Sequence, residues 1–522
     1  MKYFKIPFLL IAVILFISCK NSKTVTDNTI QKETKVVIAD HIKFNVNLND
    51  RSKDTYKVRV TVPKLSEENN IFQFAATAPG TYQIMDIGRF VRSFITMDNK
   101  GNILKSVHIS TNQYQLLEPK RVHTIIYEIA ETFDNPVIEN PIYVMAGTSI
   151  ENDHSLINGQ AVFGYIKGMQ SMPMNIKIEY PTEWMAGTAL KLNEDGSYTA
   201  NNFDHAVDSP ILLGNLTKAS TDVEGTKVDI YTYSEKGMIQ SQQVLASMEG
   251  MLKSASKFLN GLPVDRYTFL LHFEKNNIQP KGAWEHSYSS EYTLSEQPWE
   301  QAEKGFKDMA AHEFFHIVTP LNIHSEVVQE FNFIKPVPSR HLWLYEGTTE
   351  WAAHMMQFRS GEKSLEDYLG TLRRKSYISK NYFDVDYSLL DLSLESYTKT
   401  GNEQYPNIYM KGALIAGLLD IKLLELSNGE RGLIDVINEL AKKYGPTKAF
   451  DDATFFKEFV NFTYPEIEEF MDLYVKKATE LPYNEFYNKI GIKYDAEKYV
   501  FEIDANATED QIKLRDHWMK AL

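Results

Sequence analysis

The segment His312-Glu313-Phe314-Phe315-His316 restricts this 522-residue chain more than any other. On an α-helix, residues four apart share a face, with Cβ atoms about 5–6 Å apart. Two imidazoles so placed reach one metal ion at about 2.0–2.1 Å, the zinc–nitrogen distance. Glu313 stands about 100° round the helix from His312, beside a metal-held water without being a required ligand itself. The pattern demands a helix over 302–318, broken at Thr319 because the residue before Pro320 avoids helical backbone. With 13 histidines in the chain, such a motif arises by accident roughly 0.02 times. The bland alternative is a pair of hydrogen-bonded core histidines, which has no use for Glu313.

A catalytic site also needs a third ligand. His324 lies close, but the metzincin pattern puts Gly three and His six residues after the second His, where Thr319 and Asn322 stand. Glu326 is near in sequence, and Pro320 hides its path. Glu346 opens an apolar helix in Leu342-Trp343-Leu344-Tyr345-Glu346-Gly347-Thr348-Thr349-Glu350-Trp351. A glutamate on a second helix is the gluzincin arrangement, and Glu346 is the ligand expected here. His312, His316 and Glu346 would hold one Zn2+ and leave a fourth position for water. Glu350, one turn further, either bonds the other nitrogen of a ligand histidine or is a solvated helix charge.

The rest of the chain is read by period. Lys57 to Val62 and Asn175 to Tyr180 alternate with period two, as strands half-buried in a sheet do. After residue 235 the apolar residues Val244, Leu245, Met248, Met251, Leu252, Ala255, Phe258 and Leu259 recur at three and four, and Gly261-Leu262-Pro263 stops that helix. A strand Tyr267–Phe273 follows, then helices over 343–358, 364–378, 408–426, 430–444, 452–461 and 465–478, Ser364 and Asp367 capping one of them. The expected fold is multidomain α+β. An N-terminal antiparallel β-domain spans 38–218, and a mainly helical domain spans 219–485, which its HExxH segment and Glu346 make similar to a thermolysin-like zinc peptidase domain. Residues 486–522 form a polar tail, short of apolar periodicity until a last weak helix and so unable to form a third domain.

Composition excludes two classes. With 29 Phe and 29 Tyr, a large core is available and global disorder is ruled out. A formal charge of −14 argues against nucleic-acid binding through a basic face; the cluster Arg373-Arg374-Lys375 reads as a solvated face. The single cysteine sits in an export signal. Lys2 and Lys5 precede an apolar run, Ile6 to Ile17, and Ser18-Cys19 closes it. Phe16-Ile17-Ser18-Cys19 resembles the bacterial lipobox. Residues 1–18 would be a lipoprotein signal peptide, Cys19 the lipidated first residue of the mature chain, and 19–37 a tether. The alternative is an ordinary signal peptide with an incidental cysteine. By resemblance to lipoprotein sorting, Lys20 in place of Asp points to the outer membrane, and the lack of an acidic run after Cys19 points to its periplasmic face.

Several segments together resemble metallopeptidase family 61, the glycyl aminopeptidases, over about 38–490. They are His312 to Pro320, Glu346-Gly347-Thr348-Thr349, Tyr409-Met410-Lys411-Gly412-Ala413-Leu414, and Gly282-Ala283-Trp284-Glu285-His286, which is similar to that family's Gly-Gly-Leu-Glu-His. Ala78-Pro79-Gly80-Thr81-Tyr82 and Asp86 to Val91 resemble its N-terminal signature. Trp284 and Thr348 depart from the family pattern. The PDZ module common in the family is missing, so no PDZ-mediated partner is expected. The resemblance implies that Glu285 holds the free α-amine of a peptide substrate, beside Gly282 and Ala283, and that Tyr409 donates to the oxyanion. Glu313 would be the general base of an aminopeptidase acting on peptides with a free N-terminus. The rivals are a zinc endopeptidase on the same site and a non-catalytic zinc lipoprotein that binds peptide or glycan.

Overall fold

Alternation of apolar and polar residues builds the N-terminal half. In the strand Thr55–Thr61, Tyr56, Val58 and Val60 are buried while Lys57 and Arg59 reach outward, the half-buried pattern of one covered sheet face. The computed structural model describes residues 41–134, 140–274 and 281–522; the proposed signal, Cys19 and the tether lie outside them. Among the described residues this strand belongs to an eight-stranded sheet. It pairs antiparallel with Ile42–Asn47 and with Thr124–Ala130. One pairing departs from the antiparallel expectation: Ile42–Asn47 runs parallel to Met174–Glu179, Ile42 opposite Met174. Alternation reads the same in either direction, so sequence cannot reveal a parallel neighbour reached through a long connection.

The C-terminal half opens with a βαβ unit. Thr226–Ser234 leads through the helix Ser241–Phe258 to Arg266–Glu274, with the two strands parallel. Five strands follow the order Thr217–Val223, Thr226–Ser234, Arg266–Glu274, Ser289–Ser295 and Gly282–Glu285. Gly282–Glu285 is the edge, antiparallel to Ser289–Ser295. Arg266–Glu274 is buried along nearly its whole length, as a strand covered on both faces must be. Tyr267, Phe269, Leu271 and Phe273 join the helical core. Leu270, on the other face, packs with Leu156, Leu212 and Tyr233. The described residues form one unit, and this sheet packs on the helical core with one face and on Leu156 and Leu212 of the N-terminal half with the other.

Helix boundaries differ from the sequence expectation where the site lies. The HExxH helix spans Trp299–Phe315, and His316 is its C-cap. Residues 343–348 form a π-turn that leads into Thr349–Arg359. Residues 408–412 form a second, leading into Ala413–Leu426. A π-turn inserts a residue into the helix without erasing its apolar face, so periodicity reports one continuous helix. The tail holds a hairpin, Ile492–Asp495 with Val500–Ile503, and a helix Glu509–Trp518 capped by Thr508. Trp518 is buried against Phe358 and Tyr368. No helix among the described residues is long and apolar enough to cross a membrane.

Candidate active site

The HExxH helix is held by its apolar face. Phe306, Ala310 and Phe314, four residues apart, are buried with Ala311 and Phe315, which turns His312 and Glu313 toward a cleft on the opposite side. His312 Nε2 lies 3.2 Å from His316 Nε2 and 3.3 Å from Glu346 Oε2. His316 Nε2 lies 3.7 Å from the same carboxylate oxygen. A tetrahedral ion at the zinc–ligand distance sets its ligand atoms about 3.3 Å apart, so these three donors fit one such ion. Glu346 comes from the first π-turn. His324 and Glu326 do not join them: His324 Nδ1 donates to Pro320 O at 2.7 Å, and Glu326 Oε2 accepts from the Asp452 amide at 2.8 Å.

Each ligand histidine is oriented through its other nitrogen, as metal-binding imidazoles usually are. His316 Nδ1 donates to Thr319 O and His312 Nδ1 to Glu350 Oε2, both at 2.8 Å. Glu350 also accepts from His354 Nε2 at 3.0 Å and from the Lys375 ammonium. Burial pushes the Glu350 carboxyl up, but Lys375 and His354 hold it well below the usual carboxylate range. Glu350 is thus an anion behind His312, not a solvated charge. Lys375 corrects a second reading. Its side chain is 2% exposed and also donates to Tyr409 O at 2.9 Å, while Arg373 and Arg374 stay at the surface.

Glu313 faces the same cleft, whose volume is about 540 Å³ and whose walls include Gly80, Tyr82, Glu285, Tyr405 and Tyr409. Burial pushes the Glu313 carboxyl up to about 7; His312 pulls it down, and Glu346 and Glu350 add to the rise. That value suits a group that must both accept and release a proton near neutrality. Glu285 ends the edge strand Gly282–Glu285, which also carries Gly282 and Ala283. Carboxylate oxygens of Glu285 and Glu313 and a ring nitrogen of His316 lie within 4.8 Å of one another. No Lys or Arg among the described residues pairs with Glu285. Its place depends on Gly80, from the N-terminal half: a Cβ there would stand 2.6 Å from Glu285 Oε1 and 2.8 Å from Trp284 Nε1, and Gly80 has φ +74°.

Tyr409, on the second π-turn, sets its ring edge-on to His312 with centroids 5.3 Å apart. Two tyrosines given no role from sequence complete this wall. Tyr405 donates to Glu346 Oε1 at 3.3 Å, and Tyr82 packs on Tyr405 with centroids 4.8 Å apart. Tyr405 precedes Tyr409 by four, a spacing that would have placed both on one face had Pro406 not obscured the helix.

Comparison with known families bears directly on this arrangement. The Peptidase M61 N-terminal domain model matches residues 43–215, and the M61 glycyl aminopeptidase model matches 305–415, which include the HExxH segment, Glu346 and Tyr409. The chain belongs to the M61 peptidase family. Among solved structures, this M61 peptidase resembles an aminopeptidase N family protein from Idiomarina loihiensis. That match has 21% identity and a TM-score of 0.75, and covers 90% of this chain and 82% of the other. It also resembles yeast LTA4 hydrolase, solved with bestatin, at 14% identity and a TM-score of 0.52, covering 87% and 70%. At these identities the likeness establishes the fold. No curated protein sequence matches. Family membership makes the chain a metallopeptidase, and its M61 catalytic segment carries the His/Glu cluster able to hold the metal.

Proposed function

We propose that this M61 peptidase is a zinc aminopeptidase that removes the N-terminal residue of peptides. The observation that carries the reading is Glu285, a carboxylate that no Lys or Arg among the described residues pairs with, in the same cleft as the metal-ligand cluster. An α-ammonium is the group that would balance it, and that pairing fixes cleavage one residue from the N-terminus. His312, His316 and Glu346 are suited to hold Zn2+, which supplies a Lewis acid for the scissile carbonyl and the attacking water. Glu313 accepts the water's proton and passes it to the leaving amine. The Tyr409 hydroxyl donates to the substrate's carbonyl oxygen as charge develops there. Glu350 holds the His312 ring in place through its Nδ1–H. Among the described strands Gly282–Glu285 is an edge, whose outer side offers Gly282 and Ala283 main chain to an extended peptide.

Comparison of free-amine with N-acetylated peptides tests this reading. Loss of a charge-assisted hydrogen bond costs about 1.5–3 kcal/mol, so Glu285→Ala should lower kcat/KM for free-amine peptides by roughly 10- to 150-fold. Acetylated peptides should be poor substrates for the wild type and little affected by the change. Equal losses on both would make Glu285 a support of the fold, and internal cleavage of acetylated peptides at the free-amine rate would make the enzyme an endopeptidase. We propose also that Cys19 carries a lipid that holds the enzyme to the outer membrane, facing the periplasm. Cys19→Ser should then leave the membrane fraction after a salt wash.

A further inference from the structure

Away from the catalytic cleft, a second set of donors converges. His272 and Glu274 are two apart on the strand Arg266–Glu274 and therefore share a face, the one turned toward Leu156 and Tyr233. His154 begins the strand His154–Ile157 of the N-terminal half. His272 Nε2 lies 2.9 Å from both His154 Nε2 and Glu274 Oε1, and His154 Nε2 lies 3.4 Å from Glu274 Oε1. The catalytic trio shows a slightly wider triangle, with edges of 3.2, 3.3 and 3.7 Å.

With both imidazoles neutral, as metal ligation requires, hydrogen bonds alone satisfy this triangle poorly. His154 Nδ1 meets Asp153 Oδ1 at 3.0 Å, so the neutral ring carries its proton there and a lone pair on Nε2. Tyr233 reinforces the arrangement, its hydroxyl donating to Asp153 at 3.2 Å and its ring stacking on His154 at 3.8 Å. The proton of a neutral His272 Nε2 serves only one of its two neighbours. His154 Nε2 and Glu274 Oε1 then face each other with lone pairs. A cation at the centre engages all three atoms. The carboxylate behind His154 repeats the relation between Glu350 and His312, the support expected of a ligand imidazole. Among the described residues His272 Nδ1 is buried without a hydrogen-bond partner, and its Nε2 contacts give that ring its polar direction. Two imidazoles and a carboxylate select a borderline divalent ion such as zinc.

We propose that His154, His272 and Glu274 form a second metal site, taking Zn2+ or a similar divalent ion and joining the N-terminal half to the catalytic sheet. Both histidines are buried, and the Glu274 side chain, 15% exposed, gives the ion a way in. Zinc content of the full chain, loaded and then freed of loose metal by gel filtration, tests this. Wild type should hold two zinc ions per chain, and Glu274→Gln, His154→Gln and Glu346→Gln about one each. Cobalt reads the site without altering it: Glu346→Gln, its catalytic trio broken, should still give the visible absorption of protein-bound Co2+. One zinc in wild type, two in Glu274→Gln, or no cobalt absorption in Glu346→Gln would overturn the proposal.

Discussion

Gly347 and Gly412 meet backbone to backbone where the two π-turns pack. A Cβ on Gly347 would stand 2.9 Å from the Gly412 Cα, and one on Gly412 2.8 Å from the Gly347 Cα. Each glycine is a short step from a cleft residue, Glu346 on one turn and Tyr409 on the other. The glycine pair thus sets how close the metal ligand and the tyrosine can come.

Gly412→Ala should force the two turns apart, because backbone atoms cannot yield as the end of a side chain can. A displacement of about 1 Å at a reacting group can cost about 100-fold in rate. The expected result is a loss of at least about tenfold in kcat/KM with unchanged far-UV circular dichroism. Gly370→Ala is the control, since that helical glycine has open space around its missing Cβ. It should keep full activity and gain about 0.5–1 kcal/mol of stability. Equal activity in the two variants would remove the glycine contact from the account.

Metal analysis separates ligands from the base. His312→Ala and Glu346→Gln each leave two of three donors in the catalytic trio and should lose that zinc. Glu313→Gln should keep it and lose turnover by several orders of magnitude, since an amide cannot accept the water's proton. Full zinc content in His312→Ala would remove the ligand assignment, whatever its activity.

Some of this was legible in the sequence and some was not, for physical reasons. The four-residue spacing of His312 and His316 acts through local helix geometry, and a motif can record that. Lys375 sits in a run of three basic residues, yet each helical step turns about 100°, which carries it inward from Arg373 and Arg374. Gly80 near Glu285, and His154 near His272, are contacts between distant parts of the chain made only by tertiary packing. The π-turns keep the apolar stripe of the helices that they interrupt, so no change of period marks them.

The polar tail is better anchored than its composition suggests. Trp518 is 1% exposed, its ring lies 5.5 Å from Phe358 and 5.7 Å from Tyr368, and its carbonyl accepts from Arg359 Nε at 3.0 Å. Trp518→Ala should destabilise the protein by about 3–5 kcal/mol, the cost of removing a large buried aromatic. Urea unfolding would measure it. A change below about 1 kcal/mol would mean that the tail docks without contributing to stability.

Glu291 gives a pH dependence whose sign can be worked out. It is fully buried on the strand Ser289–Ser295. Oε1 accepts from Thr293 Oγ1 at 2.6 Å, and Oε2 has no hydrogen-bond partner among the described residues. Burial raises its carboxyl well above the ordinary 4.5; the Thr293 bond lowers it, and nearby Glu313 adds to the rise. The folded protein therefore keeps a proton that the unfolded chain releases above about 4.5. Stability from this group is full below that pH and falls as pH rises toward the folded-state value, by about 1.4 kcal/mol per unit. Glu291→Gln cannot release that proton and lacks the loss. Between pH 5 and 7 it should gain on wild type by at most about 2.7 kcal/mol, read from urea midpoints at the two values. A difference that stays constant with pH would show that Glu291 is ionised in the folded protein, balanced by a charge that reaches it.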